Sequence, residues 1–212
     1  MKSYKQFIKE SKTDIDLICQ DFDIENYTIN PDESIDVDDN VYLNNRNLSS
    51  IPLKFGRVSG YFSCYNNNLT SLEGCPEKVG GDFYCDSNDL ISLKGCPKKV
   101  NDFNCKNNQL TSLEGCPEEI GGYFDCRNNK IYDFRGISEF FDGTFYCGDN
   151  PIQEIYSLFV TQGREDVRCI RLINEFDVID GKKVILDRLE DVFHQLGMDV
   201  PENIEFNYYE II

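Results

Sequence analysis

The residues with the most chemical potential are the cysteines, ten in 212 residues, a density that invites disulfide, metal or redox chemistry. Their spacing argues otherwise. Cys64, Cys85, Cys105, Cys126 and Cys147 recur every 20 or 21 residues, Cys75, Cys96 and Cys116 follow the same period, and no C-x₂₋₄-C pair of a zinc site occurs. Thiols at one phase of a repeat project in parallel, which suits neither disulfide geometry nor a tetrahedral site. They are expected to act as small hydrophobes in two buried columns. Cys19 and Cys169 fall on predicted helices that bury them. No metal and no cofactor is expected.

Other candidate chemistry is sparse. His194 is the only histidine, with no Ser, Cys or second ligand at a readable spacing, so it forms no triad and belongs on a surface or in helix packing. Asp36-Val-Asp38-Asp39-Asn40 resembles the start of a calcium loop, but Val41 stands where the loop needs glycine and Asn47 where it needs glutamate. No glycine-rich phosphate loop with Lys-Ser/Thr occurs. No catalytic residue is nominated, and the chain reads as a non-enzyme.

Composition narrows the partners. Lys and Arg number 21 against 38 Asp and Glu, a net charge of −17, while 40% hydrophobic residues suffice for a core. Such a charge repels phosphate backbones and anionic lipid, so nucleic acid and membrane are disfavoured as direct partners. The N-terminus lacks the apolar core of a secretory signal, and the free thiols suit a reducing compartment. No stretch approaches the ~20 apolar residues of a membrane helix.

The elements that must position these side chains come from a repeat. SLEGCPEKVGGDFYCDSNDL, SLKGCPKKVNDFNCKNNQL and SLEGCPEEIGGYFDCRNNKI are near copies. Phe62, Phe83, Phe103, Phe124 and Phe145 precede the first cysteine column by two places, and Asn67, Asn88, Asn108, Asn129 and Asn150 follow it by three. A weaker unit, VYLNNRNLSSIP, comes first, with Arg46 at the Asn position. Val100-x-x-Phe103-x-Cys105-x-x-Asn108-x-Leu110 matches the leucine-rich repeat pattern. The expected fold is a leucine-rich repeat solenoid: short parallel strands lining a concave sheet, an asparagine ladder, a non-helical convex side, and mixed α/β caps at both ends. Gly-Cys-Pro triplets predict turns or single 3₁₀ turns on the convex side, and Gly80-Gly81 and Gly121-Gly122 a tight re-entry into the next strand. The repeat with Asn101-Asp102 is one residue shorter and predicts a local bulge difference.

The expected organisation is a leader over 1–12, an N-terminal cap over 13–40, about six rungs over 41–155, and a C-terminal α+β cap over 156–212. In the first cap Thr13 starts a helix carrying Ile15, Leu17, Ile18 and Phe22, followed by a hairpin of 27–29 with 35–37. The second cap holds a helix near 165–175, a turn over 178–184, a helix near 186–196 ended by Gly197, and a strand near 204–211.

In this register the strand positions facing away from the core are Tyr61, Ser63, Tyr65, Asp82, Tyr84, Asp86, Asp102, Asn104, Lys106, Tyr123, Asp125, Arg127, Thr144 and Tyr146. Five tyrosines and four aspartates interleave on a sheet roughly 25 Å long at about 4.8 Å per rung. Tyrosine anchors protein interfaces because it buries large area at low entropy cost. It is also simply a good strand residue on a solvated face. Acids from Asp14 to Asp39, with no Lys or Arg between 13 and 45, make either a solvated cap or a surface for a basic partner.

Across roughly residues 20–150, INPDESIDVDDNVYLNNRNLSSIPLKFGRVSG and NNNLTSLEGCPEKVGGDF make the chain resemble the short leucine-rich repeat proteins of large tailed, myovirus-type bacteriophages. The opening MKSYKQFIKE is similar to the head-targeting leader of internal proteins in such phages, cut after an Ile/Leu-x-Glu tripeptide. Here that tripeptide is Ile8-Lys9-Glu10, followed by Ser11; the alternative is an ordinary amphipathic helix with Tyr4, Phe7 and Ile8 on one face. The resemblance implies fold and phage origin, and three functions are expected: from the outward Tyr/Asp residues, a non-enzymatic module whose concave face grips a host or phage protein; from the leader, an internal head protein processed after Glu10; and from the acidic run, an acidic inhibitor of a host nuclease or defence protein. It implies host cytoplasm, or the phage head interior, as the location. Bacterial effector ligases also carry such repeats, but they append a catalytic domain larger than the final 60 residues.

Overall fold

The computed structural model of the chain describes residues 14–138, 140, 141, 143–160 and 167–212. Thr13, the segment 1–12 with Glu10 and Ser11, and the predicted helix start at 165 lie outside the described residues.

The chain begins with α1 (Asp14–Asp21), then β1 (Tyr27–Ile29), β2 (Ile35–Val37) and β3 (Val41–Tyr42). Pairs of very short strands follow: β4 (Phe55–Val58) with β5 (Phe62–Ser63), β6 (Lys78–Val79) with β7 (Phe83–Tyr84), and β8 (Lys99–Val100) with β9 (Phe103–Asn104). Next come β10 (Glu119–Ile120) with β11 (Phe124–Asp125), and β12 (Phe140–Phe141) with β13 (Phe145–Tyr146). The rest is α2 (Gln153–Tyr156), α3 (Arg168–Glu175), β14 (Ile179–Asp180), β15 (Lys183–Val184), α4 (Leu186–Leu196) and β16 (Glu210–Ile211).

The molecule is a parallel-strand β-solenoid of about five turns. β3, β5, β7, β9, β11 and β13 stack in that order into one six-stranded sheet. Its register places Tyr42, Ser63, Tyr84, Asn104, Asp125 and Tyr146 in one outward column. The inward neighbours are the phenylalanines and cysteines: Phe62, Phe83, Phe103, Phe124, Cys64, Cys85, Cys105 and Cys126 are fully buried. Ring centroids along the Phe column lie 5.1 to 6.0 Å apart from Phe62 to Phe124, the spacing at which aromatic pairs add about 0.5–1.5 kcal/mol beyond burial.

Beside each rung, the asparagine ladder forms. Asn108 Nδ2 donates to Cys85 O (3.1 Å) and Cys105 O (3.0 Å), and its Oδ1 accepts from Leu90 N (2.9 Å). Asn67, Asn88, Asn129 and Asn150 repeat the pattern. The first rung has Arg46 in place of the asparagine: its backbone N–H donates to Asn67 Oδ1 at 3.0 Å, and its guanidinium lies over the Phe22 ring. The residue before each ladder asparagine (Asn66, Ser87, Asn107, Asn128, Asp149) has φ between 53° and 56°, the left-handed conformation that short polar side chains tolerate best.

The sequence reading missed a second stack. Arg57-Val58, Lys78-Val79, Lys99-Val100, Glu119-Ile120 and Phe140-Phe141 are parallel strands, four-stranded as β1-β2-β4-β6 and three-stranded as β12-β10-β8. The bends between the two stacks need glycine: a Cβ on Gly80 would meet Ser59 O at 2.0 Å. On the opposite side the Gly-Cys-Pro segments are turns, and Gly74, Gly95 and Gly115 have φ of 87° to 99°.

The flanking segments differ in detail from expectation. The hairpin β1–β2 forms, Tyr27 opposite Val37, but on α1 Leu17 is 48% exposed, because eight residues expose one face and Cys19 occupies the other. α4 ends at Gly197 (φ 67°) and β14–β15 is a hairpin. The expected strand over 204–211 shrinks to β16, pairing in parallel with β15. The segment before β16 is held to the solenoid: Glu154 Oε2 accepts from Asn207 N and Tyr208 N at 3.0 Å, and Tyr209 Oη donates to Tyr132 O. No helix among the described residues is long and apolar enough to cross a membrane.

Candidate functional site

The nominated residues all lie on the outward face of the six-stranded sheet or at its margin, but they divide into two groups. Ser63, Asp82 and Asp125 are buried, with 2%, 8% and 3% exposure, so they do not line an open surface as expected. Their polar atoms are taken up by neighbours: Ser63 by the rung before it, Asp82 by the rung after it and Asp125 by Arg127 on its own rung. Ser63 Oγ donates to Asn44 Oδ1 (2.8 Å). Asp82 Oδ1 accepts from Asn101 Nδ2 (2.8 Å) and Asp102 N (3.1 Å), while Oδ2 accepts from Tyr84 Oη (2.7 Å). Half-buried Asp102 repeats this one rung on, accepting from Tyr123 N (2.9 Å). Asp82 and Asp102, expected to offer negative charge, instead tie successive strands together.

The tyrosines divide likewise. Tyr84 and Tyr123 are half-buried. Burial, followed by the Asp82 carboxylate, pushes the Tyr84 phenol far up, so it stays a neutral donor. Tyr61, Tyr65 and Tyr146 are exposed, and with them Tyr42, which the sequence reading did not nominate. Its signal was available: Tyr42 follows Val41 as Tyr84 follows Phe83, but the weak first unit hid the phase. Thr144 is exposed, and Asp86, Asn104 and Lys106 are half-buried.

Toward the last rungs, Arg127 Nε and Nη2 donate to the two Asp125 oxygens, and its guanidinium lies 5.2 Å from the Tyr146 ring centroid. Asn104, Lys106, Tyr123, Asp125, Arg127 and Tyr146 line a shallow recess of about 380 Å³.

The thiols behave as hydrophobes. None of the ten is in a disulfide, and burial pushes Cys85, Cys105 and Cys126 well above the ordinary thiol range, away from the thiolate that nucleophilic chemistry needs. The expected second buried column is only partly so: Cys75 is buried, but Cys96 and Cys116 are half-buried. His194 is exposed on α4. Asp36 is engaged by the backbone, its Oδ1 accepting from Arg57 N (2.8 Å). Among the described residues no group of three or more His, Cys, Asp or Glu is placed to hold a metal ion.

The arrangement is that of a rigid β-solenoid presenting a tyrosine-rich sheet face. Comparison of the chain with protein-family models, curated proteins and solved structures finds no match.

Proposed function

We propose that the chain is a non-enzymatic protein-interaction module, a leucine-rich repeat protein of phage origin that binds a partner protein through the outward face of its six-stranded sheet. One observation carries this reading. Of the ten large apolar side chains left exposed among the described residues, four are tyrosines on this face, Tyr42, Tyr61, Tyr65 and Tyr146. They stand on strands locked by backbone bonds and by Asp and Asn links to the next rung, so little conformational entropy remains to be lost on docking. Aromatic anchors on a preorganised surface are what interface hot spots require. The phage origin rests on the resemblance of the repeat units.

The test is affinity capture from lysates of bacteria before and after phage infection, with the wild-type chain and a Tyr61→Ala, Tyr146→Ala variant as baits. Both residues are exposed, so the variant keeps the fold, checked by far-UV circular dichroism. A protein retained by the wild type and lost by the variant supports the reading. Retention unaffected by the substitutions rules out this face.

A further inference from the structure

The second stack is broken at one place. β4 pairs with β6 and β8 with β10, yet β6 and β8, though side by side, form no regular ladder. The cause is in the repeat length: 20 residues separate Cys85 from Cys105, against 21 in the neighbouring repeats. Where the chain has Gly80-Gly81-Asp82 between β6 and β7, it has only Asn101-Asp102 between β8 and β9. In the regular rungs Gly80 N donates to Val58 O (2.9 Å) and Gly121 N to Val100 O (3.1 Å). Asn101 N, pulled forward by the missing residue, donates instead to Gly81 O (2.9 Å), and Lys98 N reaches Glu77 O only at 3.4 Å.

A cavity of about 1040 Å³ opens at this break, at the upper end of the ~300–1,000 Å³ in which proteins hold small molecules. Its lining is mainly apolar, from Leu72, Cys75, Val79, Cys96 and Val100, and a polar ligand body there would leave its own groups unpaired. The rim carries Lys78, Lys98 and Lys99 with Glu73 and Glu77. Arg57, in register beside Lys78, is engaged by Asp38 at 3.6 Å. Lys98 and Lys99 are paired to exposed Glu118 (3.0 Å) and half-buried Glu119 (2.8 Å), which lie outside the lining, and the exposed Lys98 pair exchanges partners at little cost. No carboxylate lies within ion-pair distance of Lys78 among the described residues.

We infer that this cavity binds an apolar chain ending in an anionic head, a medium- or long-chain carboxylate, with the chain against the thiols and valines and the head at Lys78. The inference is independent of the tyrosine face, which lies on the other stack.

The experiment titrates the full chain calorimetrically with dodecanoate and, as a charge control, dodecyltrimethylammonium. One dodecanoate per chain is expected to bind saturably below its micelle concentration, at least about tenfold more tightly than the ammonium. Cys96→Phe fills the cavity and should abolish binding, and Lys78→Glu, at an exposed unpaired position, should weaken dodecanoate about fivefold with circular dichroism unchanged. Absence of saturable binding overturns the inference, as does equal affinity for the ammonium. Dodecanoate bound normally by a folded Cys96→Phe variant does so too. If that variant does not fold, peptide mapping of wild-type alkylation by N-ethylmaleimide decides: slower labelling of Cys96 with dodecanoate supports the site, and an unchanged rate overturns it.

Discussion

Arg127 closes a two-pronged ion pair on Asp125, Nε at 2.9 Å and Nη2 at 2.7 Å, and lays the same guanidinium over the Tyr146 ring. One arginine thereby neutralises a carboxylate that is 3% exposed and steadies an exposed aromatic on the next rung. Removing it strands the buried carboxylate. Arg127→Ala is expected to cost about 1–3 kcal/mol in urea unfolding, held to that range because the arginine is itself half-exposed. Arg127→Lys should recover only part, since an ammonium cannot reproduce the fork. An unchanged urea midpoint in both variants would show that the pair contributes nothing.

Asn108→Ala tests the ladder. It leaves the Leu90 amide without its acceptor in a site that is 4% exposed and removes one of two donors from each of the Cys85 and Cys105 carbonyls, which keep Asn88 Nδ2 (3.2 Å) and Asn129 Nδ2 (3.1 Å). With one buried group stranded and two weakened, a loss of about 1–3 kcal/mol is expected. Exposed Ile91→Ala serves as the control and should stay within about 0.5 kcal/mol of wild type. Equal midpoints for the two variants would refute a structural ladder.

Asp86 sets a pH dependence on the tyrosine face. Burial raises its pKa, opposed by Lys106 and Ser87 and reinforced by Asp125. A carboxyl with a raised folded-state pKa holds its proton longer folded than unfolded, so its contribution to stability falls as pH rises from the ordinary carboxylate range through the raised value. Asp86→Asn should therefore stabilise at neutral pH, and the gain should shrink on acidification. Urea midpoints from pH 4 to pH 8 measure it, and a gain that grows on acidification would contradict the burial effect.

Restoring the missing residue tests the origin of the sheet break. A glycine inserted after Val100 gives the short repeat the length of its neighbours. β6 and β8 are expected to pair, with amide hydrogen exchange slowed at the residue following Val100 and dodecanoate binding lost. Unchanged exchange there would mean that the shorter rung is not what parts the strands.

How far the sequence carries depends on how many residues share a signal. The Phe, Cys and Asn columns are legible because five rungs repeat them, and stacking rewards each in the same way. The second stack is hidden because its strands from β6 to β12 are two residues long, with one inward apolar residue such as Val79 or Val100 beside a lysine. That is too short for an alternating pattern. The buried aspartates are missed for another reason: Asp82 and Asp102 alternate outward like solvated residues, and only the offset of the next rung brings backbone amides onto their oxygens. Arg127 hides its role in the same way, since the pairing two positions along a strand depends on side-chain reach. The cavity is written as a deletion, and a missing residue signals only a change of spacing.

The interrupted stack also bears on how the molecule carries load. Each rung touches only the rungs before and after it, so tension applied along the stacking axis passes through every junction in series, and the least-bonded junction yields first. Between β6 and β8 one of the two parallel seams is weakened, leaving the β7–β9 pairing and the ladder to carry most of the load. Stretched from its ends, the protein should behave as two stiff blocks joined by a soft hinge at the third and fourth rungs.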